Sequence, residues 1–329
     1  MPTLNLRTLF TDEEMRVNVI ETEGLTRRYG ERAVVDGVDL QVREGAVHAL
    51  LGPNGSGKTT TVRMLSTLLR PTSGKARILG FDTVADAIRV RQRIGLVGQF
   101  HSVDPRLTGA ENLTMFARLS GMRARDSRRH ARDLLERFGL ADAADRQVQS
   151  YSGGMRRRLD ILAGTVVRPA VLFLDEPTTG VDPRSRNDIF GYILDFVAEG
   201  TTVVLTTQYL DEAERLADAI TILDGGRTVA TGTPAEITAA VGAGLDLVVA
   251  SADRGRAVKV LNEFGARELG SAVVQEHSIR LAFGMDGEPE LLPILRLLDA
   301  DGIDVHDIGR RRVSLDEAFL ALTERTPAS

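Results

Sequence analysis

Apolar and polar residues alternate from Val17 through VNVIETEGLTRRYG, and again through a second run that ends in VDLQV before a turn at Glu44 and Gly45. Period-two alternation marks half-buried strands, so this stretch predicts an antiparallel β-region. AVHALL, residues 46–51, is a short continuous apolar run of buried-strand length. A glycine-rich stretch from Gly52 to Gly57 follows, and Lys58 to Leu69 has helical spacing. The helical period returns from Arg106 to about Leu140, where LTGAENLTMFARLSGM and SRRHARDLLERFGL place apolar residues three and four apart. A further helix is expected from near Gly154 to Val167. VLFLDEP then reads as an apolar strand ending in two acids, TTVVLTT as another strand, and AITILDGGRTVATG as a closing hairpin. Strands alternating with helices predict an α/β fold: a parallel sheet core with an antiparallel β-region and a helical insertion over about residues 100–167.

Composition shifts at AAVGAG, residues 239–244, which reads as a linker. Beyond it the pattern gives a strand (Leu245 to Ser251), a helix (Arg254 to Phe264) and two strands (Ala272 to Phe283). A helix (Glu288 to Asp299), a strand (Val305 to Val313) and a last helix (Leu315 to Thr323) follow. That order, βαββαβ plus a helix, is ferredoxin-like and predicts a small α+β domain over residues 245–329. Residues 17–238 form the expected main domain, and residues 1–16 a short extension.

The 329 residues are 43% apolar and 26% charged, with a net charge of −5. An acidic chain argues against sequence-independent nucleic-acid binding, which rests on Lys and Arg neutralising phosphates. Cysteine is absent, which excludes disulfides, a thiolate nucleophile and a Cys-based zinc site, and fits a reducing compartment. His48, His101, His130, His277 and His306 show no metal-ligand spacing. The N-terminal stretch carries Asp12, Glu13 and Glu14 and is not a secretory signal. No stretch approaches the roughly 18 apolar residues of a membrane-spanning helix. The chain is therefore expected to be cytoplasmic, with any membrane role supplied by a partner.

Gly52, Pro53, Asn54, Gly55, Ser56, Gly57, Lys58 and Thr59 fit G-x-x-x-x-G-K-[ST], between a strand and a helix. Glycines let successive backbone N–H groups point at one anion, and the helix start adds its positive dipole end. Lys58 supplies charge for the β- and γ-phosphates, the Thr59 hydroxyl can bind Mg2+, and Thr60 continues the nucleotide-binding stretch. Asp175 ends a buried strand, where a carboxylate can hold a Mg2+-bound water, and Glu176 can polarise an attacking water as general base. The plainer alternative is a strand ending in two solvated acids. Tyr151, Ser152, Gly153, Gly154 and Met155 precede a helix; Ser152 is a good N-cap and the glycines can expose N–H groups to phosphate. Arg156–Arg158 and Arg310–Arg312 read as solvated faces, the first alternatively facing nucleotide or a partner subunit.

The order of glycine loop, helical insertion, Ser-Gly-Gly and acidic strand resembles the ATP-binding subunits of ABC transporters, whose signature is usually L-S-G-G-Q. Tyr151 for Leu and Met155 for Gln depart from it, outside the Ser-Gly-Gly core. YSGGMRRRLD, TTQYLDEAE and VSLDEAFLALTE resemble the drug-resistance exporters of the daunorubicin type, and the likeness covers nearly the whole chain from Val17. The resemblance implies an ATPase working with ATP and Mg2+ as a homodimer, with Ser152, Gly153, Gly154 and Met155 acting on the partner's nucleotide. It implies that Tyr29 stacks on adenine, that Gln99 contacts Mg2+ or water and responds to the membrane partner, and that Asp182 crosses the dimer interface. Tyr29 has a plainer reading as a strand aromatic on the core, and Gln99 as a loop amide. Where the family usually places a γ-phosphate-sensing histidine, this chain has Gln208, which can donate an amide hydrogen bond but cannot carry a proton charge. The plainer alternative is a surface glutamine. Separate integral-membrane permease subunits are implied, no nucleic acid, and a place at the inner face of the cell membrane. The competing class is a soluble ABC-type ATPase acting on ribosome or DNA. The two ATPase cassettes or long coiled coils usual there are absent. A P-loop kinase explains neither Ser152–Gly154 nor Glu176.

Overall fold

The computed structural model describes residues 17–269, 272–274, 278–285 and 289–323, so the expected extension of residues 1–16 lies outside it. The chain divides into two compact units, residues 1–228 and 229–329. The first opens with the antiparallel pair β1 (Asn18–Tyr29) and β2 (Arg32–Arg43). β3 (Val47–Leu51), buried at every position, leads through the glycine loop into α1 (Lys58–Leu65). β4 (Ser73–Ile78), β5 (Phe81–Asp82), α2 (Ala87–Arg91) and β6 (Ile94–Val97) follow. The insertion contains α3 (Gly109–Leu119), α4 (Ala124–Arg137) and α5 (Gly153–Thr165). The core then resumes with β7 (Val171–Asp175), α6 (Pro183–Ala198), β8 (Thr202–Thr207), α7 (Leu210–Leu216), β9 (Ala219–Asp224) and β10 (Arg227–Gly232).

An antiparallel sheet has the order β2-β1-β4-β5, and a second sheet the order β10-β9-β3-β8-β7-β6. In the second, β9, β3, β8, β7 and β6 run parallel. β3, β7 and β8 are buried along their whole length, as strands covered on both faces must be. Val62, Met64 and Leu65 of α1 share one core with Ile20, Leu40 and Ile78 of the antiparallel sheet and with Leu50, Phe173 and Val204 of the parallel one. Each such side chain contributes about 1.5–3 kcal/mol on burial. That packing pins α1, and with it the loop entering it. In the insertion, Thr108 and Glu111 form a reciprocal capping box that starts α3. Leu113 and Ala117 of α3 and Ala131 and Leu135 of α4 are fully buried.

The second unit holds α8 (Pro234–Ala239), β11 (Ala243–Ala250), α9 (Arg254–Glu263), β12 (Arg267–Glu268), β13 (Val273–Val274) and β14 (Ser278–Met285). α10 (Leu291–Ala300), β15 (Val305–Arg311) and α11 (Leu315–Thr323) complete it. Its sheet order is β12-β14-β11-β15, with β13 also on β14, as a ferredoxin-like chain order requires. Leu245, Leu247 and Val249 stand opposite Phe283, Leu281 and Ile279 on one face. Ala257 and Leu261 of α9 and Ile294 and Leu298 of α10 cover that face. β12 was not expected from the apolar pattern: two residues, Arg and Glu, carry no periodicity. β11 begins at Ala243, inside the stretch read as a linker.

His48 lies within β3, 2% exposed, its Nε2 at 2.9 Å from the Thr221 hydroxyl. Burial pushes its pKa down to about 4. An unfolded histidine near its ordinary value of 6.5 therefore takes a proton that the folded one refuses. The resulting stability is fully present above that value and is lost as pH falls from it toward 4. Between pH 7 and pH 5, denaturant unfolding is expected to show a stability loss about 2 kcal/mol larger in the wild type than in His48→Leu.

Candidate functional site

Four parallel strands deliver their carboxyl ends to one edge of the sheet. Register places Leu51 beside Thr207, Asp175 beside Thr206, and Val97 beside Leu174. The segments that follow those ends are the glycine loop, the Gln99 loop, Glu176 and Gln208. This edge is where open α/β sheets bind ligands.

Gly57 closes the glycine loop as the N-cap of α1 with φ 103°, and a Cβ there would sit 2.8 Å from the Val34 carbonyl oxygen. Only glycine meets both demands. Pro53, Asn54 and Gly55 are exposed, while Gly52, Ser56, Gly57 and Lys58 are buried; Thr59 and Thr60 are half-buried. Lys58 Nζ donates to the Gly52 carbonyl (2.7 Å) and the Pro53 carbonyl (3.0 Å). Burial lowers the Lys58 pKa, opposed by the charges of Glu176 and Asp175. No side chain caps α1, and the Ser56 hydroxyl is buried without a partner among the described residues. An uncapped helix start, an unsatisfied hydroxyl and a buried ammonium together fit a polyphosphate.

Asp175 is 4% exposed. Its Oδ1 accepts from the Thr59 hydroxyl at 3.0 Å and from the Thr206 hydroxyl at 2.6 Å. Gln99 Nε2 donates to the Thr59 hydroxyl at 3.4 Å. The three expected metal contacts, Thr59, Gln99 and Asp175, thus stand in one hydrogen-bonded chain of hard oxygen donors, which fits Mg2+. Glu176 adopts φ 48°, a left-handed conformation costing of order 1–3 kcal/mol in a non-glycine residue. Its N–H donates to the Thr206 hydroxyl (3.0 Å), and Thr179 Oγ1 donates to its Oε2 (3.3 Å). Gln99, Glu176, Thr179, Gly180 and Gly153 line a cleft of about 210 Å3.

Ser152 caps α5 by accepting the Met155 N–H at 3.2 Å. Gly153 is open, whereas Gly154 is buried and a Cβ on it would meet Ser185 Oγ at 2.1 Å. Close packing of α5 on α6 therefore demands that second glycine. Tyr151 donates its hydroxyl to the Ala143 carbonyl (2.6 Å), inside the insertion. Asp182 caps α6, accepting from Arg184 N–H (3.1 Å) and Ser185 N–H (3.0 Å). The Ser185 N–H is the main cause of its lowered pKa. Tyr29 is 53% exposed at the end of β1, with the Arg27 guanidinium 4.6 Å over its ring, rather than packed in the core. Gln208 is half-buried just beyond β8. Among the described residues no hydrogen bond ties Tyr29, Ser152, Asp182 or Gln208 to the Lys58–Thr59–Asp175 group.

Pattern reading passed over three buried polar residues. Thr206 bridges Asp175 and Glu176; its signal was a pair of threonines ending an apolar strand. Glu212, 1% exposed, accepts from the Thr178 hydroxyl and from the Thr207 hydroxyl (2.7 Å). Burial raises its pKa against those bonds. The third, Arg157, corrects the reading of Arg156–Arg158 as a solvated face or one turned to nucleotide or a partner: it is 4% exposed and bonded to backbone carbonyls. Arg156 Nη2 donates to the Tyr151 carbonyl at 3.1 Å, and Arg158 lies 3.6 Å from Asp188. Arg311 is likewise no solvated residue, since it pairs with Asp246 at 2.8 Å and with Glu317. A charge run in sequence reports neither the helix face nor the neighbour that receives each side chain.

Residues 35–179 match the family model described as ABC transporter. The daunorubicin resistance ATP-binding protein DrrA2 of Streptomyces coeruleorubidus is 49% identical over 92% of this chain and 94% of its own. The daunorubicin/doxorubicin resistance ATP-binding protein DrrA of Streptomyces peucetius is 47% identical over 92% of each. A dimeric ATP-binding cassette solved in a post-hydrolysis state with ADP and Pi superimposes with a TM-score of 0.59 at 25% identity, covering 65% of this chain and 98% of that one. The alternative of an ATPase acting on ribosome or DNA is not favoured by these likenesses. Removing the bridging hydroxyl in Thr206→Val is expected to lower phosphate release 10- to 100-fold, as loss of an outer-shell partner does, with the circular dichroism spectrum unchanged. The chain belongs to the ABC transporter family as an ATP-binding, ATP-hydrolysing subunit.

Proposed function

We propose that this protein is the motor of a drug exporter: a homodimer that hydrolyses ATP at the inner face of the cell membrane and drives separate permease subunits. Residues 17–238 carry the hydrolytic machinery, and residues 245–329 form an accessory domain. The observation that carries the proposal is the incompleteness of each chain's site. The glycine loop and the carboxylates form one hydrogen-bonded group, while Ser152 and Gly153 lie exposed at the tip of α5 and make no hydrogen bond to it among the described residues, Gly153 facing Glu176 only across the open cleft. A second copy brings its own Ser152–Gly154 tip to the triphosphate bound by the loop; the solved cassette that this chain resembles is a dimer.

Hydrolysis then follows from the placement of the chain's own groups. Lys58 and the loop N–H groups neutralise the β- and γ-phosphates, and Tyr29 offers an exposed ring to adenine. Thr59, Asp175 and Gln99 are the residues that would hold Mg2+, which when bound spreads the charge developing on the phosphates. Glu176, held by Thr206 and Thr179, takes a hydrogen bond from the attacking water and aligns it. Gln208 donates its amide to the γ-phosphate. Asp182 orders the start of α6 beside the tip of α5.

Among the described residues no helix is long and apolar enough to cross a membrane. In this proposal the permease partner supplies the membrane attachment. A groove of about 810 Å3, lined by Ile88 of α2, Leu96 of β6, Phe116 and Leu119 of α3 and Val167, runs beside the Gln99 loop. Ile88 is 67% and Leu119 76% exposed, so a permease helix docking there buries them. The drug class follows the two daunorubicin-resistance relatives, whose likeness extends over both units.

Glu176→Gln is expected to remain an ATP-bound dimer in light scattering, while the wild type returns to monomer as ATP is consumed. A variant that stays monomeric in saturating MgATP overturns the sandwich. Gln208→Ala is expected to lose turnover on the order of 100-fold, the cost of one transition-state donor. Full turnover in Gln208→Ala shows the position to be idle.

A further inference from the structure

Arg157 lies one turn inside α5, on the helix whose tip is Ser152–Gly154. Its guanidinium is buried and donates to four backbone carbonyls. Nε reaches Pro177 at 2.7 Å, Nη1 reaches Gly98 at 2.7 Å, and Nη2 reaches both Asp175 and Glu176 at 3.0 Å. Gly98 immediately precedes Gln99, and the other three carbonyls belong to the segment carrying the two acids. A single side chain thus grips the backbone on both sides of the hydrolytic cleft.

The grip has a second point. Asp160 is three residues further along α5, on the same face, and is 2% exposed. Its Oδ1 accepts the N–H groups of Ser102 (2.7 Å) and Val103 (3.3 Å), and its Oδ2 pairs with His101 Nδ1. α5 therefore holds the loop from Gly98 to Val103 at both ends, with a donor at one and an acceptor at the other. Buried charge is costly unless fully bonded, and here both charges are bonded. A residue that only filled space would need neither the charge nor the fork of donors. Lysine, with one nitrogen, cannot span these carbonyls.

We propose that Arg157 is a positioning residue that couples the Ser152–Gly154 tip of each subunit to that same subunit's Gln99 and Glu176. When the tip engages nucleotide on the partner, the shift of α5 is carried to the backbone of the subunit's own hydrolytic site. Each site then senses occupancy of the other, and hydrolysis is cooperative in ATP. The coupling rests on the sandwich dimer proposed above and goes beyond it: a dimer can form without it.

The test uses the full chain carrying Arg157→Lys, with Asp160→Asn as a second variant that loosens the other point of the grip. Steady-state phosphate release is measured against ATP concentration, with a fluorescent ATP analogue reporting nucleotide affinity and thermal melting reporting the fold. The wild type is expected to show a Hill coefficient between 1 and 2. Arg157→Lys is expected to fall to a coefficient near 1 and lose about tenfold or more in kcat, with analogue affinity within about twofold of wild type. Asp160→Asn is expected to lower the coefficient in the same direction. A non-cooperative wild type, or an Arg157→Lys variant with wild-type coefficient and kcat, overturns the proposal. If Arg157→Lys fails to fold, an unchanged coefficient in Asp160→Asn overturns it instead. Light scattering of Arg157→Lys combined with Glu176→Gln separates the two levels. An ATP-dependent dimer is expected, because the grip couples the sites without holding the copies together. If Glu176→Gln alone stays monomeric, the sandwich itself fails.

Discussion

A single buried oxygen, Oδ1 of Asp175, organises the reactive edge of this protein. It accepts the Thr59 hydroxyl from the glycine-loop helix and the Thr206 hydroxyl from the neighbouring strand. An ionised carboxylate only accepts hydrogen bonds, so its burial requires donors on every side it presents. That requirement draws α1 and the ends of β7 and β8 to one point. Thr206 then turns the same geometry toward Glu176 by accepting its N–H. The general-base candidate is held in a left-handed conformation that its own chemistry does not favour. The hydrophobic core makes this affordable: α1 is locked between two sheets by apolar contacts that tolerate little displacement.

The second organising element is α5. It begins at the exposed Ser152–Gly153 tip, packs so tightly on α6 that Gly154 can bear no side chain, and one turn later inserts Arg157 beneath the acidic segment. Helices are stiff over this length, so a displacement at the tip is felt at the carbonyls that Arg157 holds. α5 is thus mechanically continuous from its exposed tip to the backbone of the acidic segment. The groove beside the Gln99 loop lies against the same helix, since Asp160, Ala163 and Gly164 help to line it. The groove and the cleft lined by Gln99 and Glu176 thus both border one helix.

Gln208 shows how a departure from a family pattern can be read physically. An amide donates to an anion as an imidazole does, but its charge never changes with pH. Thr207 and Tyr209 on either side are tied in place through Glu212 and the Thr207 hydroxyl. These bonds hold the backbone on both sides of the position without using its side chain. Glu212 also bonds Thr178, so the segment after the acids and the segment after β8 share one buried carboxylate.

Periodicity read β1 to β3, β7 to β10, the helical insertion and the βαββαβ order of the second unit, because alternation and helical spacing are local consequences of which face is buried; it left β4 to β6, α2, α6 and α8 unread. The spacing of glycines, Lys58 and Thr59, and of Asp175 and Glu176 after an apolar strand, likewise pointed to a phosphate loop and a pair of acids, since those residues answer to chemistry that has few alternatives; the fold brings Thr59 and Asp175 into one hydrogen bond. Short elements such as β12 escaped because two residues cannot show a period. Arg157, Thr206 and Glu212 escaped for a deeper reason. Each draws its role from groups 18 to 59 positions away in sequence, as with Arg157 on the Asp175 and Gly98 carbonyls, Thr206 on Asp175 and Glu212 on Thr178. Only the fold decides which backbone carbonyl or carboxylate meets a buried arginine, threonine or glutamate, and an unpaired polar group in that position would not be tolerated.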